Sequence, residues 1–470
     1  MATVDDKARE AEKLAKIKME KRHRLLEESK QPGQWVAKMT EVIEDLIRED
    51  ASDHLIGLYC IAYARNGDPD FKELIKAARK KLKLSDPSHG LGIFGVNVRA
   101  VPYQWTEPEN IPMRDWLYGR HLIRPFVSAT IAPGAVGKSS LLIGETLAMV
   151  SGVPLLGTET EQLRVWYFNL EDPYEEIMRR IQAAAQHYGL TSDDICDRLF
   201  VTSGRDQPLM VAQMEDGEAT ICWPVVETLI EEIKDKAIDV VIIDPFVSCH
   251  RVPENLNGAI DMVVKEWGKV ADRADCAIEL VHHVRKGDQQ VTVESARGGG
   301  SFADACRSAR VLNRMTEDEA KKCGVENRRS YFSVLDDKPN MAPPAEKRDW
   351  FKLVSMDLGN NPTGGVGGDS VGVATKWEWP DPLDGITGGD FERAAAAIKA
   401  GQWRANSQAK DWVGLPVAKA LNLSLAVKQE RAKVAGLIKI WLLSGALVEV
   451  GKPDERRKMK TFVEVAGDDD

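Results

Sequence analysis

Ala129-Thr130-Ile131-Ala132-Pro133-Gly134-Ala135-Val136-Gly137-Lys138-Ser139-Ser140 joins an apolar, β-prone run, Phe126 to Ile131, to a helix-periodic one, Ser139 to Val150. A turn of small residues leading from a strand into a helix predicts an α/β fold of the phosphate-loop type. Backbone N–H groups of such a turn sit at the positive end of the helix, where they suit phosphate oxygens. Pro133, Gly134, Ala135, Val136, Gly137, Lys138, Ser139 and Ser140 are therefore expected to cradle a nucleotide. Lys138 has the reach for β- and γ-phosphates and the Ser139 hydroxyl suits Mg²⁺, so ATP with Mg²⁺ is the expected ligand. Ala132 stands where the pattern commonly has its first glycine. A methyl group is tolerated there at negative φ.

The rest of the chain bounds this reading. Its 470 residues suggest two to four domains and suffice for a large core. With 63 basic against 73 acidic residues the formal net charge is −10, so any nucleic-acid contact must be local. Seven cysteines lie scattered without a C-x-x-C pair, which fits a reducing compartment and argues against structural zinc. MATVDDKAREAEK lacks an apolar signal region and no 18-residue apolar run follows, so a cytoplasmic location and no membrane partner are expected.

Residues 1–84 read as a charged, helix-prone segment. Lys7 to Arg24 forms a basic arm, Trp35 to Leu84 has helical periodicity, and Arg79 to Lys83 is basic. A Pro/Gly-containing linker over 85–114 precedes an alternating β and α pattern over 115–380, the sign of a parallel sheet flanked by helices. Candidate strands are Phe126–Ile131, Val165–Leu170, Leu199–Thr202, Val240–Ile243, Ala277–Val281, Arg310–Asn313, Tyr331–Leu335 and Trp350–Val354, the last three as a meander. Gly359 to Gly372 is glycine-rich and reads as a turn or loop.

Hydrolysis needs carboxylates at the same sheet edge. Asp244 ends the apolar run Asp239-Val240-Val241-Ile242-Ile243 and is placed to hold Mg²⁺ or its water. Glu171 follows the apolar strand at Val165 and is the candidate base for water. Asp172, followed by Pro173, reads as a helix cap instead. His282 and His283 end another strand, and one of the pair is expected to sense the γ-phosphate. The polar, Gly-rich stretch from Val284 to Arg310 carries Arg285, Lys286, Arg297, Arg307 and Arg310. It suits contact with DNA or with a neighbouring subunit.

APGAVGKSSL, YFNLEDP, VVIIDP, LVHHVRKG and SARGGGSFADACR occur in the order seen in the RepA-like branch of RecA-type ATPases, which this region resembles over about 115–380. The resemblance makes Lys138, Glu171, Asp244 and His282 catalytic, with Ser139 and Asp244 as the Mg²⁺ residues. Arg307 is similar to a finger acting in the next protomer, and Lys338, in DDKPNMAP, to its assistant. It implies a homo-oligomer, expected as a hexamer, with single-stranded DNA in a central channel and helicase activity. A DNA-binding regulator or loader switched by ATP is the alternative.

The unit at 388–466 lies outside that core. Its order of Leu415–Leu421, Leu425–Leu443, Leu447–Val450 and Thr461–Val465 resembles a winged helix, with Lys428, Arg431 and Lys433 on the recognition helix. The hairpin tip carries Arg456, Arg457, Lys458 and Lys460. Phosphate contact to DNA and a protein-interaction role are both open.

Overall fold

The computed structural model describes residues 32–48, 74, 78, 100–195, 197–215, 217–284, 290–295, 300–343, 347–361, 367–453 and 458–467. The basic arm, the Arg79–Lys83 run, Arg285, Lys286, Arg297 and the tip residues Arg456 and Arg457 lie outside them. The chain divides into two compact units, Met1–Pro112 and Met113–Asp470. In the first, helix α1 (Pro32–Arg48) buries Met39, Val42, Ile43 and Leu46, an i, i+3, i+4, i+7 stripe.

The second unit is built on nine strands. They are β1 (Val127–Ala132), β2 (Val165–Asn169), β3 (Leu199–Ser203), β4 (Val240–Asp244), β5 (Ala277–His283), β6 (Ser308–Arg314), β7 (Tyr331–Pro339), β8 (Asp349–Asp357) and β9 (Ser370–Trp377). Their order in the sheet is β9-β8-β7-β6-β1-β5-β4-β2-β3. The six strands from β6 to β3 are parallel, and β7, β8 and β9 continue antiparallel from β6. Every residue of β1 and β4, and all but the last of β5, is buried, as strands covered on both faces are.

Two helices cover one face: α2 (Lys138–Ser151) and α3 (Tyr174–Tyr188) pack on Val165, Tyr167, Val240, Ile242, Ala277 and Val281. On the other, α4 (Trp223–Asp235) and α5 (Asn257–Ala274) pack on Ala129, Ile131, Val241, Ile243, Ile278 and Leu280. Alternation with period two thus sorts each strand's side chains between two cores. Each buried Leu, Ile or Val contributes about 1.5–3 kcal/mol against exposure.

Strand β9 differs from expectation. The glycine-rich reading extended to Gly372, yet Ser370–Trp377 pairs along its whole length with β8. Its Val373 and Ala374 are buried, while the small polar residues around them hide the alternation in the sequence. The meander therefore starts at β6 and includes four strands.

After Trp377 the chain forms α6 (Gly388–Lys399), β10 (Trp403–Arg404), α7 (Gly414–Ala420), α8 (Lys428–Leu443), β11 (Leu447–Pro453) and β12 (Met459–Val465), with the strands ordered β10-β12-β11. Their core is Ile398, Trp412, Val417, Val434, Leu437, Trp441, Leu447 and Val463. Helix α6 and the short β10 are absent from the sequence reading. A capping box at Thr387 and Asp390 marks the start of α6.

Candidate active site

Parallel pairing brings the carboxyl ends of β1, β2, β4, β5 and β6 to one edge of the sheet, where the turn from Pro133 to Gly137 enters α2. Ala132 is the last, fully buried residue of β1, so the strand absorbs the methyl group. Gly137 caps α2 at φ +112°, where a Cβ would stand 3.0 Å from a Phe332 ring atom and 3.2 Å from Leu353. Both geometry and space require glycine there. Ala135 also takes positive φ, +57°.

Asp244, at the end of β4 and 2% exposed, is the hub of the site. Its carboxylate accepts hydrogen bonds from the Lys138 ammonium, from Ser139 Oγ at 3.1 Å and from the Tyr167 hydroxyl at 2.9 Å. Three donors are what a buried carboxylate requires. Burial, then the Asp244 charge, pushes the Tyr167 phenol well above its ordinary pKa, so it stays a donor. Tyr167 is a residue the sequence reading passed over. Two places before Asn169 on β2, it shares that strand's face with the paired Asp244, and period-two alternation could have found it.

Asn169 is also missed by the sequence. Its side-chain oxygen accepts from the backbone N–H of Glu171 at 3.0 Å and of Asp172 at 2.8 Å, which fixes the bend that presents Glu171. Glu171 stands exposed at the mouth of the site. Partial burial raises its carboxyl above the usual range; the Lys138 charge opposes this, and Asp244 and Asp172 add to it. Two residues past Asn169, the strand partner of Asp244, Glu171 follows at the edge where Lys138 meets that carboxylate. Asp172 is engaged by Arg180 at 2.8 Å.

His282 goes elsewhere. It pairs in register with Ile131 and faces the α5 side, 1% exposed, its ring 4.6 Å from Phe302 and 5.9 Å from Phe246. His283, half-buried and paired with Ala132, takes the face of Asp244. The choice between the two histidines follows from strand alternation, which a doublet at a strand end does not declare.

Arg307 and Lys338 both lie at the opposite edge. Arg307 is exposed just before β6; its N–H donates to Val127 O at 2.9 Å and its guanidinium lies 5.8 Å from the Phe126 ring. Lys338 pairs with Ala309 and donates to Ala303 O at 2.9 Å and Asp304 Oδ1 at 3.1 Å. Five residues of strand, about 17 Å, separate this edge from the phosphate loop of the same chain. Arg310, in the stretch expected to contact DNA or a neighbouring subunit, is buried instead. It forms a bidentate pair with Glu145 of α2 at 2.6 Å and bonds Thr130, because residues of β6 alternate inward.

Ser139 Oγ and the Asp244 carboxylate converge as hard oxygen donors, a pair suited to Mg²⁺. Among the described residues no group of three or more His, Cys, Asp and Glu side chains forms a metal cluster of its own. In the C-terminal unit, Lys428 pairs with Glu326 at 3.5 Å and Lys433 donates to Asp384 O at 2.6 Å. Arg431 stacks on Trp412 at 5.1 Å and donates to Ser407 O at 3.0 Å. The basic residues expected to face DNA are thus engaged within the chain. No described helix is long and apolar enough to cross a membrane.

Residues 96–289 match a family model described as AAA domain. The match contains the phosphate loop, Glu171, Asp244 and His282, and it supports an ATPase of the phosphate-loop type. Arg307 and Lys338 lie beyond it. Among solved structures, the crystal structure of the RadB recombinase is similar at 13% identity and a TM-score of 0.34, over 49% of this chain and 88% of that chain. No curated protein sequence matches.

Proposed function

We propose that the chain is an oligomeric ATP-hydrolysing motor acting on DNA. The observation that carries the ATPase part is the convergence of Lys138, Ser139, Asp244 and Glu171 at the carboxyl edge of one parallel sheet. Open α/β sheets bind ligands at that edge.

Lys138 leaves Asp244 for the phosphates when ATP enters, because the triphosphate offers the ammonium more charge than one carboxylate. Backbone N–H groups of the loop hold the phosphate oxygens. Mg²⁺ held by Ser139 and Asp244 would neutralise charge on the β- and γ-phosphates. Glu171 orients a water towards the γ-phosphorus and accepts its proton, a role worth about 10²–10⁴-fold in rate. Its raised pKa makes it a better proton acceptor than an ordinary carboxylate. Arg307 and Lys338, both at the edge remote from their own loop, suit the phosphates of a neighbouring protomer. An arginine supplied across an interface in this way contributes about 10³–10⁵-fold.

The DNA part rests on the motif order of the RepA-like resemblance and on the C-terminal unit. Its helix–strand–helix–helix–strand–strand order is that of a winged helix, and exposed Lys458 and Lys460 border its hairpin. A second reading, an ATP-switched DNA-binding or loading protein, is favoured by the internal engagement of Lys428, Arg431 and Lys433. Strand separation on a forked substrate decides between them. The motor requires unwinding that depends on ATP and vanishes in Lys138→Ala. DNA-stimulated hydrolysis without unwinding selects the switch.

A further inference from the structure

Arg314, the last residue of β6, donates to the backbone carbonyls of Gly134 at 2.8 Å and Ala135 at 2.7 Å. In a trans peptide the C=O and the N–H of one plane point in opposite directions. Holding these two carbonyls therefore fixes the directions of the N–H groups of Ala135 and Val136 in the ligand-free loop. Both bonds come from one guanidinium nitrogen, Nη2, whose two N–H groups hold two successive peptide planes at once.

The short helix that follows Arg314 touches the C-terminal unit in space. Met315 is fully buried, and Thr316 opens the helix Glu317–Cys323 with a capping box to Glu319. That helix is closed by Gly324 at φ +69°. Capped at both ends and about 10 Å long, it is a stiff lever. Its far end rests on α8: a Cβ on Gly324 would lie 2.4 Å from Gln429 Cα and 2.5 Å from Lys428 O. Lys428 pairs with Glu326 there. Further along α8, Gly436 meets Pro382, where a Cβ would stand 2.5 Å from Cγ.

We propose that Arg314 is the positioning residue of the phosphate loop and that, through the helix Glu317–Cys323, it ties the state of that loop to the docking of the basic helix α8 on the far end of that helix. The inference rests on the phosphate-loop reading above. Nucleotide reorders the peptide planes that Arg314 holds; the lever carries the change to Gly324, and α8 with Lys428 and Lys433 loosens. Binding linkage makes the coupling reciprocal, so undocking α8 must alter ATP affinity by the same factor that ATP alters docking.

The test uses the full chain and two readouts, ATP affinity and hydrogen exchange at residues 324–326 and 428–436, with and without saturating ATP. The wild type is expected to exchange faster at both segments when ATP is bound. Arg314→Ala should bind ATP several-fold more weakly yet show the same exchange with and without it at saturation. Gly324→Ala, with Lys428→Glu as the milder variant, should undock α8 and shift ATP affinity by roughly 5-fold or more, although neither residue touches the loop. Exchange that ignores ATP in a wild type that binds it overturns the proposal, as does an Arg314→Ala protein whose exchange still responds. A wild type that binds no ATP overturns the phosphate-loop reading itself, and the two failures are distinct.

Discussion

At φ +57°, Ala135 holds its methyl group in the left-handed region, which disfavours a residue bearing Cβ by roughly 1–2 kcal/mol. Ala135→Gly relieves this and adds some unfolded-state entropy, so thermal or urea unfolding should report a gain of about 1 kcal/mol with ATP binding retained. Glu171→Gln should leave ATP affinity near wild type and reduce turnover by about 10²–10⁴-fold in a steady-state assay. The base acts deprotonated, so turnover rises with pH through the raised pKa of Glu171; Asp172→Asn removes a repelling charge and should move that limb to lower pH. The placement of Lys138, Ser139, Asp244 and Glu171 at one sheet edge was legible, because residue type after a strand or at a helix start announces it. Tyr167, Asn169 and Arg314 were not, because they act on other protein atoms: a carboxylate, two N–H groups and two carbonyls. Nothing in the type of such a residue announces its partner.

Between elements, a buried polar chain crosses the sheet. Glu145 of α2 pairs with Arg310 of β6; Arg310 and Glu279 of β5 share Thr130 of β1; and His121 bridges Glu279 and Ser308 at 2.9 Å on each side. Burial alone would raise the Glu279 carboxyl, but the charge and hydrogen bond of His121, with Arg310 and Thr130, hold it below the usual range. Its folded pKa being depressed, its contribution to stability is present at neutral pH and is lost as pH falls through that lowered value. Arg310→Ala strands Glu145 in the core and should cost about 3–5 kcal/mol by denaturant unfolding, whereas Arg310→Met with Glu145→Leu should cost far less. This chain explains part of what the sequence hid. Polar residues inside β1, β5 and β6 blur apolar runs, yet those strands were found, because enough Val, Ile, Leu and Ala flank them. Strand β9 has no such run and was missed.

For the whole molecule, the separation of Arg307 from its own phosphate loop makes assembly testable by mixing. Lys138→Ala and Arg307→Ala chains should each be inactive alone, and mixing them should recover part of the ATPase activity only if Arg307 acts in a neighbour's site. Parallel topology was readable from alternating patterns, and the C-terminal unit from its helix and hairpin spacing. The docking of that unit was not, since Gly324 and Gly436 look in sequence like ordinary glycines.

Gly137 lies against Phe332 and Leu353, and Ser140 Oγ donates to Gly372 O at 2.8 Å. The nucleotide loop is thus braced by three strands that lie after residue 330 in the chain. Anyone trimming the protein to its smallest nucleotide-binding piece has to keep everything through Trp377. A truncation drawn at residue 289 removes the wall behind the loop together with Arg314, and such a piece should neither stay folded nor retain ATP on a filter.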